Sequence, residues 1–194
     1  KINLLYGRDY LREYLLGKEF KISPFSFFQT NTQGAEVLFS RLRTLVGERK
    51  GTLCDLYCGT GTIGLLLSDV AESILGIELV EEAVEAAREN ARLNDIHNAT
   101  YICDDVKNLA ELLEEKPDLL VVDPPRSGLH PQAIKDILDR DLEEIFYVSC
   151  NPKTLVNDLT VFRDGGYEVK HVELIDLYPH TPHVECVTLM SRVK

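Results

Sequence analysis

From Thr52 onward the chain alternates segments of strand character with segments of helix character, and few folds accommodate that order. Strands are expected near residues 52–57, 73–78, 99–103, 118–123 and 144–149, and helices near 62–69, 80–94, 105–115, 130–139 and 152–162. Connections of a few residues point to a parallel sheet covered by helices on both faces. The runs Leu119-Leu120-Val121-Val122 and Ile145-Phe146-Tyr147-Val148 are apolar without alternation, as strands buried on both faces should be. In the plainest helix, Val80, Ala83, Val84, Ala87 and Ala91 recur at helical spacing, with Glu85/Arg88 and Glu89/Arg92 set to pair on the wet side. After Gly165-Gly166 the period changes to two. Tyr167 to Leu177 and Val184 to Val193 read as long strands joined by Pro179, His180, Thr181, Pro182 and His183, a terminal hairpin whose last pair is antiparallel.

The first 30 residues follow another pattern. Leu4-Leu5-Tyr6, Tyr10 to Tyr14 and Phe20-Lys21-Ile22, broken by Gly7, Gly17 and Pro24, predict small antiparallel strands. We read 1–30 as a β appendage, the remnant of a preceding domain, and 31–194 as one full domain, since 194 residues suffice for one and not two. At their junction Phe25, Phe27 and Phe28 serve as packing or as a surface for a planar ligand. Thr30 or Asn31 caps a helix running to about Val46, with Val37, Leu38, Leu42 and Leu45 inward and Gly47 as its stop.

Charge and cysteine content narrow the setting. Lys plus Arg is 21 against 32 Asp plus Glu, a net charge of -11, which argues against a broad nucleic-acid-binding surface. Any such reading requires segregated charge or a basic surface on another part of the protein. Cys54, Cys58, Cys103, Cys150 and Cys186 lack paired metal spacing, and an odd count favours reduced thiols in a cytoplasmic protein. No apolar run approaches the roughly 20 residues that span a bilayer. A start at Lys1 suggests a processed product or an excised piece.

Three strand ends carry the candidate chemistry. Leu53-Cys54-Asp55-Leu56-Tyr57-Cys58-Gly59-Thr60-Gly61-Thr62-Ile63-Gly64 is a strand, a glycine loop and a helix start, where backbone can approach a ligand closely. The next strand ends in Glu78, placed to accept ribose hydroxyls, and the following one in Cys103-Asp104-Asp105, where an acid can bind an exocyclic amine of adenine. Any one of these acids alone reads as a solvated strand end; the loop, Glu78 and Asp104 together weigh against that. Asp123-Pro124-Pro125-Arg126 is a stiff turn that aims Asp123 from the sheet edge. Cys150 falls just past a buried strand that Pro152 brings to a halt, and taken alone it reads as a core thiol.

Glycine loop, ribose acid and adenine acid in this order resemble the Rossmann-like methyltransferases that use S-adenosylmethionine. With Ser26-Phe27-Phe28-Gln29-Thr30-Asn31, Asp123-Pro124-Pro125-Arg126, Ser149-Cys150-Asn151-Pro152 and His183-Val184-Glu185-Cys186 added, the whole chain is similar to the RNA uracil carbon-5 methyltransferase family. The resemblance implies a class I α/β fold with a mostly parallel seven-stranded sheet. It implies S-adenosylmethionine as cofactor, no metal, Cys150 as nucleophile and Glu185 as the base at carbon 5. Gln29, Tyr57, Glu78 and Asp123 fall on the family's donor-binding positions, with Gly59, Thr62 and Asp104 alongside. The implied partner is RNA, ribosomal RNA ahead of transfer RNA on the strength of Tyr178 to Glu185. His180 and His183 are assigned no chemistry. The family's usual N-terminal β-barrel and iron–sulfur cysteines have no counterpart in this sequence, which would account for the acidic balance. Two other readings stand beside this one: a non-catalytic S-adenosylmethionine- or RNA-binding module, and a nicotinamide oxidoreductase, whose G-x-G-x-x-G spacing the loop also meets.

Overall fold

The computed structural model describes residues 3–24, 27–48 and 51–193. Two strands, β1 (Leu11–Leu15) and β2 (Lys18–Ile22), pair antiparallel across Leu16 and Gly17. Both turn residues have positive φ, 48° and 79°, the backbone that matches the twist of a tight hairpin. Leu4-Leu5-Tyr6, expected as a strand, forms none and is exposed.

Helix α1 (Thr32–Val46) begins at Asn31, whose Oδ1 accepts from Gly34 N at 3.0 Å. The same side chain donates through Nδ2 to the Leu177 carbonyl at 2.8 Å, so the cap also ties the helix to the far end of the chain. Ala35, Leu38, Phe39, Leu42 and Val46 form the buried stripe. Val37, expected inward, is exposed, because a stripe at 35, 38/39, 42 and 46 turns position 37 away from the sheet.

The main sheet takes β3 (Thr52–Leu56), β4 (Ser73–Glu78), β5 (Ala99–Cys103), β6 (Leu119–Val122), β7 (Glu144–Ser149), β8 (Tyr167–Ile175) and β9 (Glu185–Arg192) in the order β5-β4-β3-β6-β7-β9-β8. β3 to β7 run parallel, and β9 enters antiparallel between β7 and β8. Pleating sends Val121, Phe146 and Val148 to a core shared with α1, α2 (Thr62–Leu66), α3 (Glu81–Leu93) and the hairpin. Leu120, Val122, Ile145 and Tyr147 point the other way, toward α4 (Leu109–Leu112), α5 (Pro131–Asp139) and α6 (Pro152–Asp164). Strand order reverses between β3 and β6, and the carboxyl ends of those two strands open the crevice where such sheets take ligands.

Two helices are shorter than expected. The 105–115 segment is a 3-10 turn, Val106–Asn108, followed by the single turn of α4, and α2 closes early when Leu67 N bonds back to Ile63 and Gly64 carbonyls. Arg88 pairs with Glu85 as expected, but Glu89 is taken by Lys21 at 2.7 Å because β2 lies over α3. Among the described residues no helix is long and apolar enough to cross a membrane.

Replacing Asn31 with Ala should lower stability by about 1–2 kcal/mol, whereas Thr30→Ala should leave it nearly unchanged. Urea denaturation of the two variants checks this.

Candidate active site

At the end of β3 the backbone enters a conformation that L-residues rarely adopt: Tyr57 has φ 61°, followed by Gly59 at 53° and Gly61 at 79°. A Cβ on Gly61 would stand 2.7 Å from the Tyr101 hydroxyl and 3.1 Å from Ala87 Cβ, so only glycine lets the loop lie this close to α3 and β5. Asp55, fully buried on β3, accepts from Gly64 N at 2.9 Å and holds the first turn of α2 in place. Glu78, at the end of β4, accepts from Gly59 N at 3.1 Å through Oε2 and from Val80 N at 2.9 Å through Oε1. The glycine loop and the start of α3 are thus clipped to one carboxylate.

Across the crevice, the turn after β6 is held by α6. Asn151 Nδ2 and Thr154 Oγ1 donate to the Arg126 carbonyl at 2.9 and 3.1 Å. Asp158, buried on the same helix, accepts from Leu129 N at 2.8 Å and from the Tyr147 hydroxyl at 2.6 Å. Gly128, at φ 82°, leaves room for that carboxylate, which a Cβ would approach to 2.7 Å. Since Asn151, the N-cap of α6, directly follows Cys150, thiol and turn are anchored to the same helix. The β7–β9 ladder pairs Ser149 with Cys186, and one further step sets Cys150 opposite Glu185.

These ends meet in one cleft of about 740 Å³, lined by Gln29, Tyr57, Gly59, Glu78, Asp123, Cys150 and Glu185. Cys150 is half-buried there and Glu185 is 3% exposed. Tyr178 donates to Gln29 Oε1 at 3.0 Å and anchors that side chain to the 176–184 loop. Thr62 stands apart, lining a smaller hollow of about 60 Å³ with Tyr57, Gly59 and Asp123. Asp104 is spent on its own turn, accepting from Asp105 N at 2.7 Å and Asn108 Nδ2 at 2.8 Å. Asp105 lines the cleft instead. Adjacent acids after a strand offered no way to choose between them. Arg126 and Phe27 also line it, and Phe27 is 74% exposed at that wall. Phe28 turns inward against Phe20, with ring centroids 5.5 Å apart. Ser26 and Phe25 lie outside the described residues.

The cleft is short of positive charge. Burial, then Glu185 and Asp55, push the Asp123 carboxyl up to about 8. Burial raises Asp55 to about 7 against the opposing Gly64 amide, and Asp55 Oδ1 has no protein partner. Burial also raises the Cys150 thiol, with Glu185 and Asp123 adding to it, while a hydrogen bond and the charge of Arg126 pull it down. Glu185 is raised by burial and drawn back by the same guanidinium. A cationic ligand seated beside Asp123 would relieve this imbalance, so the residues fit a sulfonium that also carries an ammonium group.

A family model described as tRNA (Uracil-5-)-methyltransferase matches residues 1–193. The chain belongs to that family. It is 54% identical over 193 residues to a protein of Caldanaerobacter subterraneus subsp. tengcongensis named as an uncharacterized RNA methyltransferase, covering 99% of this chain and 43% of the relative. A Clostridium tetani protein of the same description is 52% identical, with 42% of its length covered. This uracil-5-methyltransferase family chain therefore spans less than half the length of these curated relatives. Among solved structures, the Pyrococcus abyssi tRNA (uracil-54, C5)-methyltransferase in complex with S-adenosyl-L-homocysteine superposes with a TM-score of 0.85 at 34% identity, covering 95% of this chain and 45% of that one. Methanocaldococcus jannaschii Trm5 in complex with adenosine shares the fold, at a TM-score of 0.78 and 17% identity, over 97% of this chain and 58% of its own. The fold is the Rossmann-like class I methyltransferase fold.

Asp55 and Asp123 sit near 7 and 8 in the folded chain against 3.8 for a free side chain, so folding takes up protons between those values. Their contribution to stability is full below about pH 4 and is lost as pH rises through 7 to 8. Melting temperatures of the ligand-free protein should fall from about pH 4 to about pH 8 and level off above that, and Asp123→Asn should flatten the decline.

Proposed function

We propose that this protein transfers a methyl group from S-adenosylmethionine to carbon 5 of a uridine in RNA, through a covalent bond between Cys150 and carbon 6. The observation that carries the reading is the single cleft lined by Cys150, Glu185, Asp123, Tyr57 and Glu78, with Cys150 and Glu185 each one residue beyond the last β7–β9 pair, Ser149 and Cys186. Gln29, Tyr57, Gly59, Glu78 and Asp123 would hold the donor, Asp123 beside its positive charge and Glu78 at its ribose hydroxyls. Thr62 supports the loop from the smaller hollow, and Asp105 rather than Asp104 faces the adenine end.

Carbon 5 of uracil is a weak nucleophile until a thiolate adds to carbon 6 and delivers negative charge to it. Cys150 suits that addition because a thiolate both attacks and departs readily, and the Arg126 guanidinium favours its ionised form against burial. When bound, S-adenosylmethionine supplies an electrophilic methyl group. Methylated carbon 5 still carries its hydrogen; Glu185 takes that proton, the ring electrons expel Cys150, and the double bond returns. A carboxyl raised by burial is the stronger base for this step. Exposed Phe27 at the cleft wall offers a face for the extruded base.

We infer an RNA substrate, with ribosomal RNA favoured by the sequence of the 178–185 loop and transfer RNA as the competing arm. At a net charge of -11, RNA binding requires either segregated charge on this chain or phosphate contacts made by another part of the protein. All five cysteines are free thiols, in keeping with a cytoplasmic site of action. The competing reading, a donor- or RNA-binding module without turnover, draws on the same acidity.

Cys150→Ala should reduce methylation to background, and Glu185→Gln should lower turnover by about 10²- to 10⁴-fold while a denaturation-stable protein–RNA adduct builds up. Ribosomal and transfer RNA are assayed in parallel with S-adenosylhomocysteine calorimetry. Robust turnover by Cys150→Ala rejects the covalent route, and donor binding without turnover by the parent protein supports the module.

A further inference from the structure

The hairpin β1–β2 looks detachable in sequence, yet its outer edge is bound to α3 by side-chain amides. Asn94 accepts from Glu19 N at 2.8 Å and donates to Glu19 O at 2.7 Å, satisfying both backbone groups of one edge residue as a neighbouring strand would. One turn earlier on α3, Asn90 is fully buried. Its Oδ1 accepts from Lys21 N at 2.8 Å, and its Nδ2 donates to the Thr60 carbonyl of the glycine loop at 3.3 Å. Each neighbour dictates one end of the amide: Lys21 N–H requires the oxygen and Thr60 C=O requires the nitrogen. If the hairpin leaves, Asn90 loses the contact that aims its nitrogen at the loop.

A second contact runs in parallel. Phe20 of β2, wholly buried, packs on Phe28, which adjoins the cleft residues Phe27 and Gln29. Leu15 of β1 lines the hollow under the loop together with Thr60 and Thr62. The hairpin therefore braces both walls of the donor end, the glycine loop through Asn90 and the 27–29 segment through Phe20.

We propose that Asn90 is a positioning residue that couples docking of the N-terminal hairpin to the shape of the glycine loop, so that 1–30 acts as part of the donor site rather than as a leftover of another domain. This rests on the reading of the cleft as a donor site. RNA or protein regions that pull on the hairpin would then change donor affinity without touching the donor, a coupling carried by a buried amide with two partners.

The test uses the full-length protein and two variants. Asn90→Asp keeps the acceptor for Lys21 N and replaces the donor to Thr60 with a carboxylate; Asn94→Ala loosens the hairpin edge and leaves the loop contact in place. Amide hydrogen exchange of the ligand-free proteins should be faster over Gly59 to Gly64 in both, more so in Asn90→Asp. S-adenosylhomocysteine should bind about tenfold more weakly to Asn90→Asp, as expected for losing one buried hydrogen bond, with a smaller loss for Asn94→Ala. Exchange over Gly59 to Gly64 equal to that of the parent in Asn90→Asp overturns the proposal, as does faster exchange confined to Lys18 to Ile22 in Asn94→Ala. Failure of the parent itself to bind S-adenosylhomocysteine counts against the donor-site reading, and the exchange data still decide the coupling.

Discussion

The register of β9 between β7 and β8 is the constraint on which the site depends. Side chains on a strand alternate faces, so a slip of one residue against β7 would carry Glu185 to the opposite face and bring Val184 or Cys186 to the position across from Cys150. The register has little freedom to slip. Cys186, Val187, Thr188 and Met190 are all wholly buried, and Val187 and Met190 belong to cores on opposite faces of the sheet. Packing that has nothing to do with chemistry thereby sets the distance between a thiol and a carboxylate.

Electrostatics in the cleft follow from the same topology. Parallel strands bring their carboxyl ends to one edge, where β3, β4 and β6 deliver Asp55, Glu78 and Asp123, and antiparallel β9 starts at that same edge with Glu185. Arg126 opposes them near the thiol, and its turn is fastened to α6 by Asn151, Thr154 and Asp158. Burial, with neighbouring carboxylates adding to it, holds Asp123 and Asp55 partly protonated near neutral pH. That imbalance is released by a cation, which is why a cleft of this composition is better suited to a sulfonium than to a nicotinamide pyrophosphate.

Most strands lay open in the sequence because they are short, apolar and bounded by Gly, Pro or Asp: β4, β5 and β7 fall on the residues expected. Errors arose where tertiary contacts outbid local pattern. Glu89 has Arg92 three positions along, yet a strand 68 residues earlier supplies Lys21. Asp104 and Asp105 carry the same group one residue apart, and both are held by their own turn, Asp104 by Asn108 and Asp105 by Lys107, yet Asp105 is the one that lines the cleft. Val37 has the hydrophobicity of a core residue and lies off the stripe that the sheet accepts. The role of Asn90 left no trace in periodicity, since a polar residue within an amphipathic helix reads as solvated until a strand edge and a loop carbonyl are seen on either side of it.

Sequence alone determined the order of strands and helices from Thr52 onward, the glycines that permit the loop and the proline that halts β7 before its helix, because these are set by local backbone preference; the nucleophile role of Cys150 came from family resemblance, since the stretch by itself reads as a core thiol. Only the tertiary structure decided which side chains converge. Cys150 and Glu185 are 35 residues apart in the chain, and their meeting depends on β9 inserting antiparallel beside β7. The hairpin's place is likewise a long-range outcome: two asparagine amides on α3 supply the hydrogen bonds its edge would otherwise seek from water or another strand.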